Sequence, residues 1–112
     1  MVDTKNQNNI LSFIKDCVEN NRIFWTYHVN MRMKSRSISR DLIKVSVNNF
    51  EIIESYPEDK YFPSYLIYSR NNELIFHIVI AVDFKSENIR IITAYYPDPS
   101  KWDFEMKRRI NI

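Results

Sequence analysis

No glycine occurs anywhere in this chain of 112 residues. Every phosphate cradle built on a Gly-rich loop is thereby excluded, the P-loop and the dinucleotide-binding fingerprint included. Turns must rest instead on Asn and Pro, and the pairs Asn48-Asn49 and Asn71-Asn72, with Asn88, fall where the chain has to reverse. Cysteine is nearly absent as well. Cys17 stands alone, so neither an internal disulfide nor a multi-cysteine zinc site can come from this chain. A reduced compartment fits, and Cys17 among Ile10, Phe13, Ile14 and Val18 reads as a small core residue. The longest apolar run, Leu74 to Val82, is broken by His77 and falls far short of the roughly 20 residues that span a bilayer. The polar start, MVDTKNQNN, has no basic-then-apolar order and reads as a loose tail over residues 1–9. A cytoplasmic protein with no membrane span is expected. Only two histidines are present, His28 and His77, and neither has a metal-ligand spacing with Asp or Glu. No serine sits in a nucleophile elbow, so neither a metal, a cofactor nor a serine hydrolase site is expected.

What is present suits one folded domain over 10–112. A hydrophobic share of 45% beside 27% charged residues is ordinary for a soluble core of this size. Net charge is only +2, so clustering carries more information than the total. Bases gather at Arg32, Lys34, Arg36 and Arg40 and again at Lys101, Lys107, Arg108 and Arg109; acids gather at Glu51, Glu54, Glu58 and Asp59.

Periodicity divides the chain in two. Ile10, Phe13, Ile14, Cys17 and Val18 follow helical spacing over 10–20. Thr26 can cap a second helix to about Ser35, and Ser39 a third with Asp41 in its first turn. After Asn49 the pattern turns strand-like over Phe50–Tyr56, Ser64–Ser69, Leu74–Asp83 and Ile89–Tyr96, with loops too short for parallel crossovers between the last three. Ser100 can cap a last helix lined by Trp102, Met106 and Ile110, placing Arg108 and Arg109 in its final turn. The expected fold is α+β: N-terminal helices packed on a four-stranded antiparallel sheet, with a short C-terminal helix.

Chemistry concentrates in YHVNMRMKSRSIS, Tyr27 to Ser39, where His28, Arg32 and Arg36 recur every fourth residue. At about 100° per residue they form one helical stripe, an imidazole beside two guanidiniums. Metal-free RNA cleavage needs a base for the 2′-OH proton, an acid for the leaving 5′-oxygen and cations for the phosphorane. Imidazole serves either proton step near neutral pH, and the Arg fork binds phosphate oxygens in pairs. A second wall can come from the last hairpin. If Phe84 to Asn88 closes it, Asp83 pairs with Ile89, His77 faces Tyr95 and Val79 faces Thr93, with Thr93 and Tyr95 on the face of Ile89 and Ile91. The candidates also have structural alternatives: His28 as a helix histidine hydrogen-bonded to a neighbouring carboxylate, His77 as a satisfied core histidine, Tyr95 as a sheet aromatic, Arg32 and Arg36 as a solvated face paired with Glu51 or Glu54. Arg108 and Arg109 extend the basic surface or simply end a helix. Tyr61, Phe62 and Tyr65 can stack bases or fill the core.

Four blocks, HVNMRMKSRSIS, YPEDKYFPSYLIY, HIVIAVD and IITAYYPDPSKW, together resemble domain-of-unknown-function family 4258, from about Thr26 to Arg109. Members of that family look like relatives of RelE- and ParE-type toxins and of the barnase-like and colicin-like RNase fold. The resemblance implies a bacterial toxin-type, metal-independent endoribonuclease with RNA as substrate and a cognate antitoxin as partner. In this chain His28, with His77 or Tyr95, would carry the proton transfers, Arg32 and Arg36 would hold phosphate, and Thr93 would orient substrate or imidazole. A homodimer is a further partner expectation. The competing expectation is a non-catalytic RNA- or protein-binding module that uses the basic stripe. Residues 1–22 resemble nothing that can be placed.

Overall fold

The computed structural model describes residues 6–110. Helix α1 (Gln7–Glu19) begins where Asn6 accepts a hydrogen bond from the Asn8 amide, and it buries the anticipated face of Ile10, Phe13, Ile14, Cys17 and Val18. Of the expected tail 1–9, residues 1–5 lie outside the described part, while Gln7 to Asn9 already belong to α1. Thr26 caps α2 (Tyr27–Ser35) and Ser39 caps α3 (Arg40–Val45), each side-chain oxygen accepting the amide three residues on. Three-residue reach of this kind satisfies an amide that the first helical turn leaves without a partner.

The sheet corrects the expected four antiparallel strands. It has five: β1 (Ile23–Trp25), β2 (Glu51–Tyr56), β3 (Ser64–Asn71), β4 (Leu74–Asp83) and β5 (Asn88–Tyr95), in the order β1-β5-β4-β3-β2. The added strand β1 runs parallel to β5, pairing Ile23 with Ile89 and Trp25 with Ile91, so the sheet is mixed. Three residues between two helices give no alternation to read, which hides such a strand from its sequence. Its pairing also needs the distant C-terminal half, since it joins the first strand to the last.

Helices cover one face. There Tyr65, Ile67, Phe76, Ile78, Ile80, Val82, Ile89, Ile91 and Ala94 meet α1, α2 and the α3 corner in a single core. Ser69 on that face is matched by Ser46, their hydroxyls 2.8 Å apart, so the buried polar pair is satisfied. Turns without glycine are made at a conformational cost: Asn21, Ser37, Asn72, Glu87 and Met106 all take φ between 56° and 61°.

No C-terminal helix forms among the described residues. The Asp98 carboxylate accepts from both the amide and the hydroxyl of Ser100, and Asp103 accepts from the amides of Lys107 and Arg108. These side-chain bonds compete with a helical ladder. The segment instead folds back on itself, Trp102 bridging to Arg109 and the Ile110 amide donating to the Lys101 carbonyl at 2.9 Å. Trp102 is thereby spent on the sheet face that the helices leave open, where it is 3% exposed.

Candidate functional site

That open face is where the candidate residues gather, and a bulge decides which of them reach it. Near the hairpin turn Asp83 pairs with Asn88 and Val82 with Ile89, one residue earlier than the expected Asp83–Ile89 register. Between Val79 and Ile80 the register shifts by one, and Ile92 is the extra residue on β5. Beyond it His77 faces Tyr95 and Val79 faces Thr93, the pairs expected from the sequence. The sides differ from expectation, however. Ile89 and Ile91 point into the helix-covered core, whereas Thr93 and Tyr95 lie on the open face with His77, and Ala94 takes the core position. One inserted residue reverses the alternation of everything after it.

His77 is fully buried. Its Nε2 lies 2.7 Å from the Met106 carbonyl oxygen, which can only accept, so Nε2 carries the proton and Nδ1 is the acceptor toward the Tyr95 hydroxyl at 3.4 Å. The Trp102 ring stands edge-on at 4.6 Å between centroids. Burial lowers the His77 pKa, the Met106 carbonyl and Glu54 oppose that, and Arg109 reinforces it. A neutral imidazole is thus clamped between the sheet and the C-terminal segment, shielded from solvent. Tyr95 is half-buried, and burial raises its pKa, which keeps the phenol protonated.

Arg109 belongs to the same clamp. Its guanidinium takes Glu54 in two bonds of 2.6 and 3.1 Å and lies 4.7 Å from the Trp102 ring centroid. Burial works against the Glu54 carboxylate, but the hydrogen bonds from Arg109 and Tyr56 outweigh it and hold its pKa below the usual range. Lys107 pairs with Glu51 at 2.9 Å and covers the Tyr68 ring. The acids of β2 are therefore matched to the C-terminal segment and not to Arg32 or Arg36. Arg108 is exposed beside this clamp.

Arg36 does something different. Strand β1 covers β5 only as far as Ile91, and α2 follows directly along the edge that β1 leaves unpaired. From the C-terminal end of α2, Arg36 Nη1 donates to the Ala94 carbonyl at 2.8 Å and to Thr93 Oγ1 at 3.2 Å. Nε and Nη2 have no partner among the described residues. The helical stripe and the open sheet face therefore meet at Arg36 and Thr93. Arg32 and His28 lie about one and two turns further back on α2 respectively, both exposed, and the His28 side chain makes no hydrogen bond among the described residues. The two histidines are not brought into one accessible cleft.

The rest of the open face forms a groove of about 600 Å³ floored by Val79, Ala81 and Ile92 and walled by Arg90 and by Asp59 to Phe62. Tyr61 is 81% exposed at its rim, while Tyr65, the third aromatic considered for stacking, points the other way and is buried in the core. Arg90 was not singled out by its sequence context. Its position two residues before the bulge, on the exposed phase of β5, is legible only once the bulge is known. Among the described residues no group of three His, Cys, Asp or Glu side chains is arranged to hold a metal ion. Likewise, none of the described helices is long and apolar enough to cross a membrane.

A family profile described as "Domain of unknown function (DUF4258)" matches residues 25–96, from the end of β1 through the end of β5. The chain belongs to that family. No curated protein and no solved structure matches it.

Proposed function

We propose that the chain is a toxin-type, metal-independent endoribonuclease that handles RNA along the seam between α2 and the free edge of β5. The observation that carries this reading is Arg36: one guanidinium nitrogen is anchored on Thr93 and Ala94, which aims the remaining donors at whatever lies over that edge. On this reading His28 takes the 2′-OH proton as that oxygen attacks phosphorus, and the protonated Tyr95 hydroxyl, its counterpart, gives a proton to the departing 5′-oxygen. Arg32 and Arg36 stabilise the extra negative charge between the two steps, a role worth about a hundred- to thousandfold in rate for one well-placed donor. Thr93 fixes Arg36, and Tyr95 contributes a neutral hydroxyl. His77 is a positioning residue that holds Tyr95 and the C-terminal segment. A cognate antitoxin and cytoplasmic residence go with the toxin reading and rest on the family resemblance.

A second reading, a non-catalytic RNA-binding module, is favoured by the burial of His77, which leaves His28 the one exposed imidazole among the described residues. Labelled RNA incubated with EDTA-treated protein separates the two. Cleavage that disappears in His28→Ala and falls by about two orders of magnitude in Arg36→Ala supports the nuclease. Intact RNA bound with a salt-dependent affinity that weakens in Arg36→Ala supports the module, and full cleavage by His28→Ala removes the mechanism.

A further inference from the structure

We infer that the groove beside Arg36 is a base-recognition subsite for an unpaired guanine, an inference that rests on RNA being the ligand as proposed above. Its chemistry is mixed in an instructive way. The floor is apolar, yet the walls carry both a guanidinium, Arg90, and a carboxylate, Asp59. Arg90 lies 4.6 Å from the Phe62 ring centroid and 5.6 Å from that of Phe24, and no carboxylate pairs with it among the described residues. Rings hold the cation in place while its N–H groups stay available, which suits a phosphate oxygen. Arg36 stands at the other end, because Thr93, which anchors it, is the direct cross-strand neighbour of the floor residue Val79. A ligand with a flat apolar body between anionic groups fits this arrangement, and a nucleotide within a strand has that form.

The carboxylate narrows the choice. Asp59 accepts a hydrogen bond from the Ser64 hydroxyl on β3, which ties the loop to the sheet and orients the group in the wall. An ionised carboxylate has about four acceptor sites on two oxygens, so Ser64 leaves most of them unused. Guanine alone among the four bases presents two adjacent donors, N1–H and N2–H, on one edge. Adenine and cytosine put a ring acceptor beside their amino group, and uracil flanks its single N–H with carbonyls; each would set a lone pair against the carboxylate. Tyr61, exposed at the rim, is placed to stack on the base, a contact that tolerates any base and so adds affinity without selectivity.

The test uses the full chain and four labelled pentanucleotides with 2′-fluoro sugars, which cannot be cleaved, identical except for a central G, A, C or U among uridines. Fluorescence anisotropy should give the G oligonucleotide about tenfold or more tighter binding. Asp59→Asn should erase that preference while the U oligonucleotide binds as before, and Tyr61→Ala should weaken all four alike. Equal affinities for the four, or a preference that survives Asp59→Asn, overturns the subsite and leaves RNA binding and cleavage untouched. No measurable binding of any oligonucleotide overturns the subsite together with the RNA reading. A guanine preference in a protein that never cleaves RNA upholds the subsite and rejects the nuclease.

Discussion

Acid should loosen the link between the sheet and the C-terminal segment, through His77. The imidazole is fully buried and already commits Nε2–H to the Met106 carbonyl. Protonation must put a second N–H on Nδ1, facing the Tyr95 hydroxyl, and a positive charge beneath Trp102 with Arg109 close by. Glu54 offsets part of this, but burial dominates and the folded-state pKa lies below the ordinary 6.5. The unfolded chain consequently binds more protons than the folded one below that value, so stability is complete above it and is lost as pH falls toward the folded pKa. The slope cannot exceed about 1.4 kcal/mol per pH unit for one group, and the unfolded imidazole takes up its proton only below its ordinary 6.5, so the loss between pH 7.5 and 5.5 is limited to about 1.4 kcal/mol. Against a typical stability of about 5–15 kcal/mol this is measurable. Urea titrations followed by tryptophan fluorescence at the two pH values should show the loss in the wild-type chain and not in His77→Gln, whose amide can still donate to Met106. Glu54, Asp98 and Asp103 all have lowered pKa values, so they titrate below this pH window in both proteins and drop out of the comparison. An equal acid loss in the two proteins would refute the reasoning.

Two further outcomes concern the same architecture. Trp102→Ala should cost about 3–5 kcal/mol, the range for an aromatic removed from a packed site, and lower the melting temperature by more than about 10 °C; a loss under about 1 kcal/mol would mean that the C-terminal segment does not pack on the sheet. Glu87→Gly should raise stability by roughly 0.5–1 kcal/mol, since Glu87 is exposed and held at φ 56°, where a side chain costs more than the freedom glycine adds to the unfolded chain. Calorimetry that finds this variant less stable than the wild type would contradict the assignment of strain to the β4–β5 turn.

Much of the helical half was readable because caps and spacing act locally. Thr26 and Ser39 each announce a helix by a hydroxyl that reaches one amide three residues away, and α1 carries its whole buried face in five residues. Strand β4 was found to the residue because its hydrophobicity on both faces marks an interior strand. What escaped depends on partners distant in sequence. Strand β1 exists only because β5 lies beside it. The C-terminal segment has helical spacing in Trp102, Met106 and Ile110, but tertiary packing of one tryptophan and two aspartate side-chain caps redirect it. At the site, the pairing of His77 with Tyr95 was anticipated, although the expected register at the turn was off by one and the bulge restored it. The side of the sheet was missed for the same reason: alternation was extrapolated through Ile92, where it breaks.

That break at Ile92 bears on how such a chain can change over generations. Strand β5 writes two messages in opposite phase, hydrophobic-inward before the bulge and polar-outward after it, and a single codon separates them. Deleting that codon would leave composition almost untouched, yet it would turn Thr93 and Tyr95 toward the helices and Ala94 toward the groove, dismantling the anchor of Arg36 in one step. Chains of this kind are thus more sensitive in this strand to a change of length than to a change of residue. When related sequences are compared, a gap placed one position wrongly between Ile91 and Thr93 would match inward residues to outward ones.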